Sequence, residues 1–165
     1  MIATDRRSML AGIGALIGVA ALPPEALAAT LNKPGGRPPL LDKPTTALVT
    51  ALADTLIPRT DTPGAVQVGV PAKFDSLLRD WASAPHQSAH LATLFAIDAR
   101  AKSKTGRPFA LLPAIHRTAI LKVYDAEHFA ADANYTKLKD LLVGLYYFSE
   151  AGASVELRYE HAPGA

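Results

Sequence analysis

Prolines divide most of this chain into segments whose apolar residues recur every three or four positions. After Asp42 and Pro44, the first segment carries a row of them: Leu48, Val49, Leu52, Ala53 and Leu56. This period places side chains on one face of an α-helix, whereas a half-buried strand would alternate with period two. Such alternation is found only in VELRY at 155–159, which we expect to be an extended tail. The pattern predicts an all-α fold of about five helices.

Prolines and capping residues also predict where the other helices begin and end. The predicted boundaries are Pro58 at the end of the first helix, Pro71 and Pro113 at the starts of the second and fourth, Thr105-Gly106 at the end of the third, and Asp132 or Asn134 at the start of the fifth. The side chains predicted to face the core are, for the second to fifth helices, Phe74, Leu77, Leu78 and Trp81; Leu91, Leu94 and Phe95; Ile115, Ala119, Ile120 and Val123; and Leu138, Leu141, Leu142 and Leu145.

The N-terminus has the organisation of an export signal. Arg6 and Arg7 precede a Gly/Ala-rich apolar run, and Ala26 and Ala28 form the small-x-small pattern of a signal-peptidase site. The paired arginines resemble a twin-arginine signal, a type that exports proteins already folded. We therefore expect a periplasmic protein.

These features divide the chain into three parts. We expect a signal peptide at 1–28, a Pro/Gly-rich linker at 29–41 and a helical domain at 42–165. An uncleaved N-terminus, which would make the chain a membrane-tethered helical scaffold, is the alternative.

Composition excludes several functional classes. The chain contains no cysteine, which excludes disulfides, thiolate-bound iron–sulfur clusters, zinc ribbons and C-x-x-C-H haem attachment. Its net charge is only +2 and no block of Lys and Arg occurs, so a nucleic-acid partner is not expected. No G-x-S-x-G, G-x-G-x-x-G or P-loop motif is present. We predict that the chain is not an enzyme on its own and holds no cofactor.

Two polar features could nevertheless carry chemistry. His86 and His90 have the i,i+4 spacing that places two imidazoles on one helix face, although no Glu follows His86 to complete H-E-x-x-H. We predict solvated histidines, and a self-sufficient periplasmic metal-binding protein or enzyme is the alternative. Asp61, in RTDTPG, could be a catalytic acid, but we interpret it as an Asx-turn residue that bonds the following backbone.

The loop between the first two helices has the most unusual composition. It reads IPRTDTPGAVQVGVP at 57–71, where three prolines restrict φ and two glycines permit positive φ or close backbone approach. Such a loop is expected to be stiff and preshaped. Because a stiff loop loses little entropy when it docks, this composition suits a stable interface.

The same loop carries a family resemblance. ADTLIPRTDTPGA and the following GVPAKFDSLL resemble the signature of the small (gamma) subunit, or subunit 3, of gluconate 2-dehydrogenase. The segment YTKLKDLLVGLYYFSEAGASVELRYEHAPG is similar to the closing segment of that family. The resemblance extends from about residue 48 to residue 164.

The resemblance implies a role for the chain. Such subunits are non-catalytic partners of a large FAD-containing dehydrogenase of the glucose–methanol–choline type, which oxidises a CH–OH group, in some complexes together with a c-type cytochrome subunit. The FAD is then held by the large subunit and none by this chain. The small subunit is a chaperone that assists folding of the flavoprotein and its passage through the twin-arginine translocon.

Two segments, together with Tyr159 of the tail, are predicted to contact this partner. The loop is expected to pack either against the large subunit or across the subunit's own helices to shape the interface. Three consecutive aromatic residues follow at 146–148, and a helix cannot place all three on one face, so at least one is expected to point outward. The predicted interface residues are Ile57, Pro58, Arg59, Thr60, Asp61, Pro63, Gly64, Gly69, Val70, Pro71, Tyr146, Tyr147, Phe148, Ser149, Glu150 and Tyr159.

Overall fold

The computed structural model describes residues 38–149, which form five α-helices and a 3-10 turn and include no strand. The elements are α1 (Lys43–Leu56), α2 (Val70–Asp80), α3 (Ala84–Thr105), the 3-10 turn (Phe109–Leu111), α4 (Ala114–His128) and α5 (Ala133–Tyr147). The predicted all-α fold is confirmed for this part of the chain. The export signal and the tail at 155–159 lie outside the described residues.

Several helix ends are fixed by residues that the sequence singled out. The Asp42 carboxylate accepts a hydrogen bond from the Thr45 N–H at 2.9 Å and caps α1. Asp132, rather than Asn134, caps α5. Gly106 ends α3 in the left-handed conformation, with φ of 72°. These contacts satisfy backbone groups that a helix end would otherwise leave without a partner.

The core lies where α1, α2, α3 and α5 converge. Phe74 of α2 and Leu94 of α3 are fully buried, as is Phe109 of the 3-10 turn. Complete burial of a large apolar side chain stabilises a fold by about 1.5–3 kcal/mol. Helix α4 contributes less to this core, since only Leu121 and Tyr124 among its residues are buried.

The predicted core faces are correct for α1, α2 and α5, with Leu56 and Trp81 half-buried. On α3, Phe95 is exposed because the buried face instead follows Leu94, Ile97 and Ala101. The prediction for α4 is also wrong, and Ile120 is the one predicted residue of this helix that packs against the core.

The error on α4 arose because this helix has apolar residues on two sides. Ile115, Ala119 and Val123 are exposed, while Leu121 and Tyr124 face the core. The orientation is fixed by contacts with distant segments. Arg117 forms an ion pair with Asp54 of α1 at 2.7 Å, and the Tyr124 ring packs edge-on against Tyr135 of α5.

A polar cluster joins α4 to α5. The Asp125 carboxylate accepts hydrogen bonds from the Lys139 ammonium and, at 2.9 Å, from the Tyr135 hydroxyl. The hydrogen bond from Lys139 holds the pKa of Asp125 below its usual value, against the opposing effect of burial. Burial, reinforced by the hydrogen bond to Asp125, raises the pKa of Tyr135.

Asp125→Asn should therefore lower the free energy of unfolding in a pH-dependent manner. A carboxyl whose pKa is lower in the folded state adds stability above its unfolded pKa and loses it as the pH falls through the folded value. At neutral pH the loss should be at most about 1 kcal/mol, because the pair is partly exposed to solvent. Urea titrations should show the difference from wild type shrinking below about pH 4. Asp140→Asn, at an exposed position of α5, is the control, and a difference for Asp125→Asn that is independent of pH would contradict the assignment.

Candidate partner interface

The loop between α1 and α2 is held in one shape by its own backbone. The Ala65 N–H donates a hydrogen bond to the Ile57 carbonyl at 3.0 Å, and the Thr60 N–H donates to the Thr62 carbonyl at 3.1 Å. At the end of the loop next to α2, the Val70 N–H donates a hydrogen bond to the Ala65 carbonyl at 3.0 Å. These bonds close residues 58–63 into a turn, which we call the tip.

Gly64 lies at the base of the tip, where two backbone segments nearly touch. A Cβ atom at this position would lie 2.6 Å from the Arg59 nitrogen and 2.8 Å from both the Ile57 oxygen and the Pro58 carbonyl carbon. These are backbone atoms, which cannot rotate away as a side chain can. Only glycine fits this closure of the loop.

Gly69 is required for a different reason. It precedes α2 with φ of 77°, in the left-handed region that side chains disfavour, yet a Cβ there would meet nothing within 4 Å. Gly64 and Gly69, both predicted as interface residues, therefore act on the loop in different ways. Gly64 permits the close approach of two backbone segments, and Gly69 adopts the left-handed backbone conformation.

Tyr146 anchors the tip from the core. Its side chain is fully buried near the end of α5, and its hydroxyl donates a hydrogen bond to the Pro63 carbonyl at 3.0 Å. The Ser149 hydroxyl in turn donates to the Tyr146 carbonyl at 2.6 Å. The loop and the end of α5, which the sequence marked as separate contact segments, therefore form one structural unit.

The structure sorts the predicted interface residues by exposure. Those on the surface are Pro58, Arg59, Thr60, Asp61 and Pro63; those half-buried are Ile57, Gly69, Pro71, Tyr147 and Phe148; and those buried are Gly64, Val70, Tyr146 and Ser149. The buried residues can shape an interface only from within this subunit. The others, Glu150 and Tyr159 with the signal residues Arg6, Arg7, Ala26 and Ala28, lie outside the described residues.

Thr60, rather than Asp61, makes the side-chain hydrogen bonds of the tip. The Thr62 N–H donates to the Thr60 hydroxyl oxygen at 3.4 Å, and the hydroxyls of the two threonines are 3.3 Å apart. Threonine and aspartate can both form this kind of turn, so the sequence does not distinguish them. The Asx turn predicted at Asp61 is wrong, because its exposed carboxylate accepts no hydrogen bond within the described part of the chain.

His86 and His90 occupy different environments. His90 is buried, with its ring edge-on to Phe74 at 6.2 Å between centroids, so the prediction of a solvated side chain is wrong for this residue. Its position one turn before Leu94 places it on the buried face of α3. His86 is half-buried, and its Nδ1 lies 2.9 Å from the Ser83 hydroxyl. Residues 38–149 contain no group of three His, Asp or Glu side chains placed to hold a metal ion.

Sequence reasoning missed a groove between α1 and α2. It has a volume of about 950 Å³, and its walls include the ion pair of Asp54 with Arg117 and that of Asp75 with Arg79. Each of these arginines is therefore paired with a carboxylate that also lines the groove. Its lining comes from α1, α2 and α4, from the segment before α1, from the loop and from the 3-10 turn, so no local sequence signal could have indicated it.

No helix in residues 38–149 is long and apolar enough to cross a membrane. The family model described as gluconate 2-dehydrogenase subunit 3 matches residues 43–164, a range that includes all five helices, the loop and Tyr146. No curated protein and no solved structure matches the chain.

Substitutions at the two loop glycines should separate their roles. Gly64→Ala should lower the free energy of unfolding by about 1–3 kcal/mol because the added Cβ forces backbone segments apart. Gly69→Ala should cost about 1–2 kcal/mol through its backbone conformation while leaving the tip closed. Limited trypsin digestion should therefore cut after the exposed Arg59 faster in Gly64→Ala than in Gly69→Ala. Equal cleavage rates in the two variants would contradict the close approach at Gly64.

Proposed function

The chain belongs to the gluconate 2-dehydrogenase subunit 3 family, and from this membership we propose that it is the non-catalytic small subunit of a periplasmic FAD-dependent dehydrogenase complex. The family description already identifies it as a subunit of a multi-subunit dehydrogenase. In our proposal the large subunit is a flavoprotein of the glucose–methanol–choline type that holds FAD and oxidises a CH–OH group of a sugar or sugar acid. This chain assists the folding, stability and export of that partner.

The anchored loop is the observation that supports this role. Its tip is fixed by backbone hydrogen bonds, by the close approach at Gly64 and by Tyr146, yet the Pro58, Arg59 and Asp61 side chains are exposed. Because the loop is ordered before binding, less conformational entropy is lost on docking and more of the contact energy becomes affinity. The opposite charges of Arg59 and Asp61 add a pattern that a partner can match, which favours specificity.

Export with the partner is the second part of the proposal. The Arg6-Arg7 pair and the Ala26–Ala28 cleavage pattern support a twin-arginine signal, a route that accepts folded proteins. A flavoprotein assembled with FAD could then travel together with this subunit. The chain contains no cysteine, so the association would be non-covalent and would depend on the quality of the packed interface.

Co-purification tests the proposed partner. The tagged full-length chain, isolated from its native host, should bring down a large FAD-containing protein that oxidises a sugar or sugar acid with a dye acceptor. Replacing both Arg59 and Asp61 by Ala should lower FAD recovery about tenfold, which corresponds to about 1.4 kcal/mol of binding free energy. Both side chains are exposed, so the free subunit should keep its thermal stability. Arg107→Ala, at an exposed position after α3, is the control and should retain the flavoprotein.

The outcomes separate the parts of the proposal. Purification of the wild-type chain without any FAD-containing dehydrogenase would refute the proposed function. Undiminished FAD recovery with the double variant would refute the loop as the interface.

For export, Arg6→Lys combined with Arg7→Lys should leave both subunits and the dehydrogenase activity in the cytoplasmic fraction. Unchanged periplasmic activity in this variant would contradict the twin-arginine route.

A further inference from the structure

Helix α4 is apolar on two opposite sides. Leu121 and Tyr124 face the core, while Ile115 and Val123 on the other side are 75% and 51% exposed. Ala119 lies between these two at four-residue spacing and is also exposed. A surface helix normally presents polar residues to solvent. We call the exposed side, formed by Ile115, Ala119, Lys122, Val123 and Ala126, the outer face of α4.

The 3-10 turn that precedes α4 also exposes an apolar side chain. Leu111, four residues before Ile115, is 63% exposed in the 3-10 turn that leads toward α4. Single exposed apolar residues are common on soluble proteins, but a row of them on one helix marks an interaction surface. The outer face of α4 is therefore suited to a second packing partner.

The charges of the outer face favour a protein over a membrane surface. Lys122 is exposed on this side and forms no ion pair within the described part of the chain. A partner would need an apolar surface and a carboxylate placed to meet this ammonium group. Binding to anionic lipid instead depends on clusters of about four to eight Lys and Arg residues, which this face does not carry.

The outer face of α4 also adjoins the loop. Thr118 and Lys122 of α4 line a shallow depression of about 230 Å³ together with Leu56, the last residue of α1. Leu56 directly precedes Ile57, where the loop begins. A single partner that covers about 800 Å² of this subunit, the usual size for a stable complex, could contact both.

We propose that the outer face of α4 is a docking surface for the large flavoprotein subunit and that the loop tip belongs to the same interface. This inference rests on the proposed function, which supplies the identity of the partner. The outer face contributes the apolar contact area and Lys122 contributes one charged contact. The tip contributes a surface of fixed shape next to the outer face of α4.

Cysteine labelling can test this contact directly because the chain has no cysteine of its own. Ile115→Cys and Phe95→Cys each introduce a single thiol at an exposed apolar position, on α4 and on α3 respectively. In the isolated subunit a maleimide should label both variants at similar rates. In the FAD-containing complex, labelling at 115 should slow at least about tenfold, whereas labelling at 95 should not change. Mass spectrometry of this chain alone reads the result, whatever cysteines the partner contains.

Charge insertion provides the complementary test. Ile115→Asp combined with Val123→Asp should leave the melting temperature of the isolated subunit unchanged, because both side chains are already exposed. The same variant should lower FAD recovery about tenfold or more, since it places unpaired charges in an apolar contact. Phe95→Asp is the matched control and should retain the flavoprotein.

The remaining outcomes distinguish failure of the docking inference from failure of the proposed function. If the wild-type chain brings down a flavoprotein and the α4 double variant does so equally well, the docking inference is overturned and the proposed function stands. If the wild-type chain brings down none, the proposed function fails and the inference falls with it. Slow labelling at 115 in the isolated subunit, at any protein concentration, would show that the chain covers this face itself. Slow labelling only at high concentration would show a second copy, and either result overturns the inference.

Discussion

The hydrogen bond from the Tyr146 hydroxyl to the Pro63 carbonyl joins α5 to the loop between α1 and α2, and the candidate interface depends on it. The two residues are 83 positions apart, so no local interaction could bring them together. Leu138, Leu141 and Leu145 bury one side of α5 in the core, and this packing fixes where Tyr146 points. The core of the domain thus determines the shape of a loop that lies on its surface.

Helix α4 packs against the same core with one apolar side and exposes a second apolar side to solvent. Its inner side is held by the Arg117–Asp54 ion pair and by Tyr124 against α5, and the Asp125 cluster adds contacts to Tyr135 and Lys139. These contacts turn Ile115 and Val123 toward solvent. A surface helix that is apolar on both sides can bury its second apolar side only against a further partner, which in our proposal is the large subunit. The tip and the outer face of α4 together fit the membership of this chain in a family of dehydrogenase subunits.

The part of the fold that could be predicted from sequence depends on local signals. Asp42, Asp132 and Gly106 act on neighbouring backbone groups, so capping at these places could be predicted from the sequence, although the choice between Asp132 and Asn134 came from the structure. The periodic rows of α1, α2 and α5 are each apolar on a single side, which made the buried face unambiguous. On α4 the period was correct, but which of its two apolar sides is buried depends on Asp54, which is 63 residues from Arg117. The sequence likewise indicated that Gly64 matters, whereas the backbone atoms that exclude a Cβ became known only from the structure.

We expect the loop to be ordered in the free subunit and to be held in that state by Tyr146. Hydrogen exchange at the Ala65 and Val70 amides of the isolated chain, with and without Tyr146→Phe, tests it most directly. Both amides donate to carbonyls within the loop, so they should exchange slowly in the wild type. Removing the Tyr146 hydroxyl should accelerate their exchange about threefold to tenfold, which corresponds to the roughly 1 kcal/mol that such a hydrogen bond contributes. Exchange in the wild-type subunit as fast as in an unstructured peptide would show that the free loop is not ordered.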